Sequence, residues 1–251
     1  MGGSFNAMPI DYNPVRRREA LVGAGAAAGV AAAAYFLKAP RMIADAIAVA
    51  PSASDAAACT LSKEVTEGPY WIDTALSRRN ITEGKKGAKL ALYIKVIDAG
   101  TCKPIKGADV EIWHADATGE YSGFDGGSSG GPPGSGSTTS TRYLRGHQKS
   151  DATGRVRFDT LYPGWYNGRT PHIHVKVHVG GKEIHTGQIF FADATSTKIY
   201  RTGAYKSRGK QSTTNSEDSI YKQATGKARD RITKRSGNKG YKGTITLGVD
   251  P

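Results

Sequence analysis

Cysteine is nearly absent: the chain of 251 residues carries two, Cys59 and Cys102. Two thiols cannot supply a disulfide-dense miniprotein or a cysteine-based zinc module. Acidic side chains are scarce as well, 22 against 35 Lys and Arg, leaving a formal net charge of +13 at pH 7. Outside the N-terminal region no run of twenty apolar residues occurs, which excludes membrane-spanning helices from the bulk of the chain. No P-loop is present, which removes the simplest nucleotide-binding reading. The 32 glycines follow no three-residue period, so a collagen-like chain is out, and 38% hydrophobic with 23% charged residues is too apolar for a disordered one. The positive charge invites nucleic acid as a partner, but no helix-turn-helix, zinc finger or aromatic-plus-basic RNA-binding strand exists. The basic residues of 200–242, twelve against three acids, are interleaved with Gly, Ser and Thr. They read as a solvated face or as a surface that adheres to anionic polymers, and no nucleic-acid partner is expected.

The first 58 residues look like an address. Arg16, Arg17 and Arg18 precede Ala20–Leu37, an uncharged stretch dominated by Ala and Gly, and small-residue sites such as Ala48-Val49-Ala50 follow. Paired arginines ahead of a weakly hydrophobic core resemble a twin-arginine export signal, used for proteins exported already folded. The alternatives are a permanent N-terminal anchor, for which a Gly/Ala stretch is marginal, and lipidation at Cys59 after Ala56-Ala57-Ala58, where the usual large apolar residue is missing. The expected organisation is an export signal and linker over 1–58 and one domain over 59–251, extracellular or at the cell surface, with no stable membrane span in the mature form. In an exported chain an even cysteine count points to a Cys59–Cys102 disulfide, with buried free thiols as the alternative.

The body reads as β. Leu90–Asp98, Ala108–His114, Gly154–Phe158, His172–Val179, Ile184–Phe191 and Thr244–Val249 alternate apolar and polar positions. Turn signals such as Pro163-Gly164 and Gly180-Gly181 separate them. No segment after residue 60 shows an apolar stripe of helical period. The expected fold class is all-β, an antiparallel β-sandwich of about seven or eight strands with long loops. Gly123–Ser137 holds seven glycines and a formal G-x-S-x-G match at Gly127, Ser129 and Gly131. A nucleophile elbow needs a hydrophobic strand before it and a helix after it, so this stretch reads as a loop, either a lid or an inert insertion.

The chemistry concentrates in Ile112–Gly123 and Thr160–Val177. His172 and His174, one residue apart on an apparent strand, leave the same face. Such a pair is more often structural than metallic, but Tyr162 and Tyr166 lie just upstream, Arg169 sits three residues before the pair, and Tyr121 follows a turn signal elsewhere. Two imidazoles with two phenolates would make a mixed nitrogen and oxygen site. Phenolate is a hard anionic donor that favours Fe(3+) over zinc or copper(I). Binding to such an ion lowers the phenol pKa far below its usual value of about 10.

The runs TEGPY (66–70), ADVEIWHADATGEYSG (108–123), LRGHQKSDATGRVRF (144–158), TLYPGWYNGRTPHIH (160–174) and GYKGTITLGVD (240–250) resemble the intradiol ring-cleavage dioxygenases. The resemblance covers nearly all of the chain after the address. It implies a ferric ion held by Tyr121, Tyr166, His172 and His174, with Tyr166 as the ligand that leaves to accept a substrate proton. It further implies Arg169 and Gln188 beside the bound ring, Thr66 and Pro69 lining an aromatic pocket, and Tyr162 as a structural residue of the turn. The partners implied are a small aromatic diol and O₂. Oxygen would enter between the two hydroxylated carbons and give a cis,cis-muconate-type diacid. His114, His147, His178 and His185 read as surface or hydrogen-bonding histidines. The N-terminal dimerisation helices of catechol 1,2-dioxygenases have no counterpart here, and an oligomer is left open. The competing reading is a non-catalytic cell-surface binding module with a basic C-terminal face.

Overall fold

Strand β1 (Lys89–Asp98) follows a period of two: Leu90, Leu92, Ile94 and Val96 share one buried face, while the other face carries half-buried Tyr93 and Lys95 beside buried Ala91 and Ile97. The same rule shapes β2 (Asp109–Trp113), β4 (Arg155–Leu161), β5 (His172–Val179), β6 (Lys182–Phe190) and β8 (Tyr241–Val249). Two further strands complete the set, β3 (Arg145–Lys149) and β7 (Arg231–Lys234). The computed structural model describes residues 59–124, 139–224, 231–237 and 239–251, all within one compact unit, Val49–Pro251. The expected export signal (1–58) and most of the glycine-rich stretch, with its G-x-S-x-G match, lie outside the described residues. Among the described residues no helix is long and apolar enough to cross a membrane.

The strands form two four-stranded sheets, ordered β4-β1-β8-β7 and β3-β2-β5-β6. Their facing sides share one core: Leu92, Ile94, Phe158 and Leu247 from the first sheet meet Val110, Ile112, Ile173, Val175 and Ile189 from the second. Each such side chain, removed from water, contributes about 1.5–3 kcal/mol. Because β5 gives Ile173, Val175 and Val177 to this core, the intervening His172, His174 and Lys176 stand on the opposite, outer face of the second sheet.

The expectation of a purely antiparallel all-β sandwich needs correction on two counts. β1 and β8 run parallel, in register from Leu90 opposite Tyr241 to Asp98 opposite Val249, so the first sheet is mixed. Alternation reports which face a side chain occupies and is blind to strand direction. Here β8 reaches β1 after a long connection, as parallel neighbours require. Short helices are also present: α1 (Asp193–Ile199), a 3₁₀ helix (Gly203–Arg208) and α2 (Ser219–Gln223). With seven, six and five residues, none spans the window over which a helical period shows. The two strands without a sequence signal, β3 and β7, are both edge strands. Their polar and basic composition (RGHQK, RITK) suits an edge and hides the alternation.

Cys59 and Cys102 form a disulfide across a separation of 43 residues, tying the start of the described chain to the turn after β1. Loop-closure entropy for a span of this length amounts to about 4 kcal/mol. Replacing both cysteines by serine is expected to lower unfolding free energy by about 3–4 kcal/mol, read as a fall in the urea midpoint, with a somewhat steeper slope because the uncrosslinked unfolded chain exposes more surface.

Candidate metal centre

Strand register lines up a row of side chains on the outer face of the second sheet. Arg145 of β3 lies opposite Trp113 of β2, Trp113 opposite His174 of β5, and His174 opposite Gln188 of β6. Trp113 stacks on the His174 imidazole, with ring centroids 4.8 Å apart and planes 8° from parallel. His172, one row along, faces Phe190. A slip of one residue would turn this entire row into the core.

Two loops bring tyrosines onto this face. The first, Ala115–Tyr121, is organised by Asp116, whose Oδ1 accepts from the Thr118 N–H (2.8 Å), the Thr118 hydroxyl (2.6 Å) and the Glu120 N–H (3.2 Å). Lys85 pairs with the same carboxylate at 2.5 Å. Burial pushes the Asp116 pKa up, but Lys85 and the Thr118 and Glu120 bonds pull harder and hold it below the usual carboxylate range. Gly164 completes the fit, since a Cβ there would lie 2.1 Å from the Asp116 carbonyl oxygen.

Asp116→Ala is therefore expected to destabilise the protein by about 2–3 kcal/mol in chemical denaturation at neutral pH. A group whose folded pKa is depressed contributes stability above its unfolded value and loses it as pH falls through the folded one. The deficit of the variant should accordingly shrink below the usual carboxylate range of about pH 4.

The second loop is a tight turn, Tyr166-Asn167-Gly168-Arg169, closed by the Arg169 N–H on the Tyr166 carbonyl at 3.2 Å. Gly168 takes the left-handed conformation the turn demands (φ +81°). The turn presents Tyr166 and Arg169 side by side. A third segment closes over the face: Tyr70 stacks on Tyr121 at 4.5 Å, and Gly68 sits so close that a Cβ would lie 3.1 Å from His174 Cε1.

Four donor atoms converge. Tyr121 Oη lies 3.0 Å from His174 Nε2 and 3.4 Å from His172 Nε2, Tyr166 Oη 3.2 Å from His172 Nε2, and the two Nε2 atoms are 3.1 Å apart. Such edges are those of donors about 2.0–2.2 Å from one shared centre, the reach of nitrogen and oxygen ligands on a first-row metal. His172 Nδ1 donates to the Thr170 carbonyl at 2.7 Å, so its Nε2 carries the lone pair and faces the cluster. All four side chains are at least nine-tenths buried. Burial, then the Arg169 cation, drives both imidazole pKa values well below 6.5. Burial likewise raises both phenols, that of Tyr121 well above 10. Without a metal the donor set is thus neutral. Among the described residues no group of three or more His, Cys, Asp or Glu is arranged to hold a metal. The donor set here is instead two imidazoles and two phenols, hard oxygen with borderline nitrogen, and it fits an iron ion.

The other expected residues fall around this centre. Arg169 reaches His172 Nε2 with Nη1 (3.4 Å) and donates through Nη2 to Gln188 Oε1 (2.5 Å), while Gln188 Nε2 donates to the Thr66 carbonyl (2.9 Å). Thr66 and Pro69 are exposed, and Pro69 sits between Gly68 and Tyr70. Tyr162 lies elsewhere, in the main core, with its hydroxyl 2.7 Å from that of Ser196. His114 is sealed between Thr160 Oγ1 (2.7 Å) and the Ala115 carbonyl (2.8 Å), and burial brings its pKa down to about 4. His147 pairs with Asp109 at 2.8 Å, His178 approaches Glu183 at 3.9 Å, and His185 is buried away from the cluster.

The sequence reading assigns no role to four residues of the site: Tyr70, Trp113, Arg145 and Asp218. Tyr70 stands inside the TEGPY run, and Trp113 shares its parity with Glu111, so pairing β2 with β5 would have found it. Arg145 is a buried guanidinium bound to the Ser122 carbonyl and hydroxyl (2.7 and 2.9 Å), with its pKa brought down to about 10 by burial. Asp218 receives the Arg169 Nε–H at 2.9 Å from 49 residues away.

A protein-family model described as Dioxygenase matches residues 66–200. An intradiol ring-cleavage dioxygenase from Tetranychus urticae is 39% identical and superposes with a TM-score of 0.72, over 77% of this chain and 96% of its own. The dioxygenase domain of a dioxygenase and carbohydrate-binding fusion protein from Streptomyces sp. SirexAA-E is 26% identical with a TM-score of 0.55, over 76% and 98%. A curated relative, catechol 1,2-dioxygenase 1 from Acinetobacter lwoffii, is 33% identical over 105 residues, which span 40% of this chain and 30% of the relative. Family match, sandwich and likeness to the Tetranychus urticae enzyme agree: this chain belongs to the intradiol ring-cleavage dioxygenases, a family of non-haem iron enzymes that open catechol-type diols with O₂.

Proposed function

We propose that the protein is an exported ferric intradiol dioxygenase, with Tyr121, Tyr166, His172 and His174 as the iron ligands and a small catechol-type diol as substrate. The observation that carries this reading is the convergence of four buried donor atoms, neighbours at 3.0–3.4 Å, from a strand and two separate loops. Two phenolates supply hard negative charge suited to a trivalent ion. Bound ferric iron supplies the Lewis acidity and electron-accepting character that make a chelated diol ring reactive toward O₂. Export is supported by the arginine cluster at 16–18 ahead of Ala20–Leu37 and by the Cys59–Cys102 disulfide, which belongs to an oxidising compartment.

The chain's own groups divide the remaining work. Tyr166 stands beside Arg169 on the turn, and its Oη is the site that takes a proton from a substrate hydroxyl as the diol binds. Tyr121, clamped under Tyr70 and within a buried loop, stays in place. Arg169 directs Nη1 at the donor cluster, a fixed cation where negative charge gathers on the ring as oxygen attacks. Gln188 of β6, itself anchored on the Thr66 carbonyl, holds that guanidinium. Tyr70, Phe124 and Trp113 line the face with aromatic surface that excludes water from the reacting ring.

Oxygen uptake on catechol, protocatechuate, hydroxyquinol and caffeate-like diols tests the assignment. Iron-loaded protein should be red from phenolate-to-iron charge transfer, and a diol of the panel should yield a muconate-type diacid. A fully iron-loaded but colourless protein, or one that consumes no O₂ with any diol of the panel, would refute it.

A further inference from the structure

We propose that Asp218 is the positioning residue for Arg169, setting the plane in which its guanidinium meets the substrate. This rests on the function proposed above and goes beyond it, because Asp218 lies in the basic 200–242 region, where it is one of three acids. The surface reading of that region does not apply to Asp218: the residue is 1% exposed.

A buried carboxylate is costly unless it is paired and fully hydrogen-bonded. Asp218 is both. Its Oδ2 accepts from Arg169 Nε (2.9 Å) and from the Thr170 N–H (2.9 Å). Its Oδ1 accepts from the N–H groups of Ile220 (2.8 Å) and Tyr221 (3.1 Å), capping α2. Capping a helix of five residues does not call for a buried charge, since serine or asparagine serves that role with less desolvation. What requires a carboxylate is the other side, where a guanidinium and a backbone N–H share one oxygen.

The effect on Arg169 is geometric. Asp218 holds Nε, Gln188 Oε1 holds Nη2, and Nη1 is the corner left facing His172 Nε2 at 3.4 Å. A planar group pinned at two of its three nitrogens cannot swing, so the direction of the third is fixed. The same carboxylate steadies Thr170, whose carbonyl receives the His172 Nδ1–H, while Thr170 Oγ1 donates to Asn215 Oδ1 (2.8 Å) on the segment that carries Asp218. The chain beyond the 3₁₀ helix thus returns to clamp the turn that presents Tyr166 and Arg169.

Asp218→Asn offers one acceptor oxygen where the carboxylate offers two, so it must give up either the Arg169 side or the helix cap. Misplacement of a catalytic group by about 1 Å can cost 10²-fold in rate, so kcat should fall about 10- to 100-fold while KM moves less than about 3-fold. Thr170 keeps its tie to Asn215 in the variant, so the His172 ring stays oriented and iron content and the visible absorption band should be unchanged. In iron-free protein the Arg169 Nε–H resonance should exchange slowly in the wild type, where Asp218 accepts it, and fast in the variant. In an Arg169→Gln background, Asp218→Asn should change kcat by less than about 2-fold, the non-additivity expected of one residue acting through another. Asp218→Ser retains a helix cap and removes the anchor, so it covers the case in which Asp218→Asn fails to fold. It should keep the fold and show the same loss of kcat. The proposal is overturned if either variant turns over at the wild-type rate or faster, if the Asp218→Asn loss is equally large without Arg169, or if the Nε–H exchange is unaltered. A wild-type protein that consumes no O₂ with any diol would instead refute the function, while the Nε–H measurement would still judge the link between Asp218 and Arg169.

Discussion

His172→Ala should leave the protein folded and nearly free of iron. The imidazole is the hub of the cluster: its Nε2 is neighbour to Tyr121 Oη (3.4 Å), Tyr166 Oη (3.2 Å) and His174 Nε2 (3.1 Å). Its loss removes one donor of four and opens a cavity beside the remaining three. Disturbing groups that merely orient a ligand costs about 10- to 100-fold in metal affinity, so removing the ligand itself should cost more than about 100-fold. Iron retained through dialysis against a chelator should fall accordingly, and the red colour and O₂ uptake should vanish with it. The outer-face location keeps the fold safe: His172 contributes nothing to the core between the sheets, which β5 fills with Ile173, Val175 and Val177. A His172→Ala protein that keeps its iron and colour would show that the metal lies elsewhere.

Arg169→Gln should do the reverse, keeping the iron and losing the rate. The guanidinium is not among the four converging donors and meets them through Nη1, 3.4 Å from His172 Nε2. Its contribution is a fixed positive charge in a desolvated site, where one such preorganised group is worth about 10²–10³-fold in kcat. Glutamine keeps a polar side chain near Gln188 and removes the charge. We expect unchanged iron content, an unchanged visible band and a kcat lower by about two to three orders of magnitude. Loss of iron along with activity would make Arg169 a structural support for the ligand cage and not a group acting on the substrate.

The parts of this architecture that local pattern can express were legible in the chain. Alternation in HIHVKVHV places His172 and His174 on one face because a strand has period two, and both stand on the outer face of β5. The loop tyrosines are different: local context narrows twelve tyrosines to Tyr121, Tyr162 and Tyr166, and only the resemblance of whole motifs sets Tyr162 aside. The row Arg145, Trp113, His174 and Gln188 exists only once β2, β3, β5 and β6 are paired, because register is a property of strand pairs. Asp218 lies 49 residues from its partner inside a basic stretch, and its one local mark, an acidic residue ahead of Ser219–Gln223, reads as an ordinary helix cap. The parallel pairing of β1 with β8 was hidden for the same reason as the row, while β3 and β7 were hidden by the polar composition that edges favour.

The claim beneath all of this is that four side chains share one iron ion. Anomalous scattering collected at the iron absorption edge from crystals of the loaded protein tests it directly. A single peak within about 2.0–2.3 Å of Tyr121 Oη, Tyr166 Oη, His172 Nε2 and His174 Nε2 is the expected result. A peak at another place in the molecule, or one bonded to the histidines with both phenol oxygens well out of reach, would contradict the account.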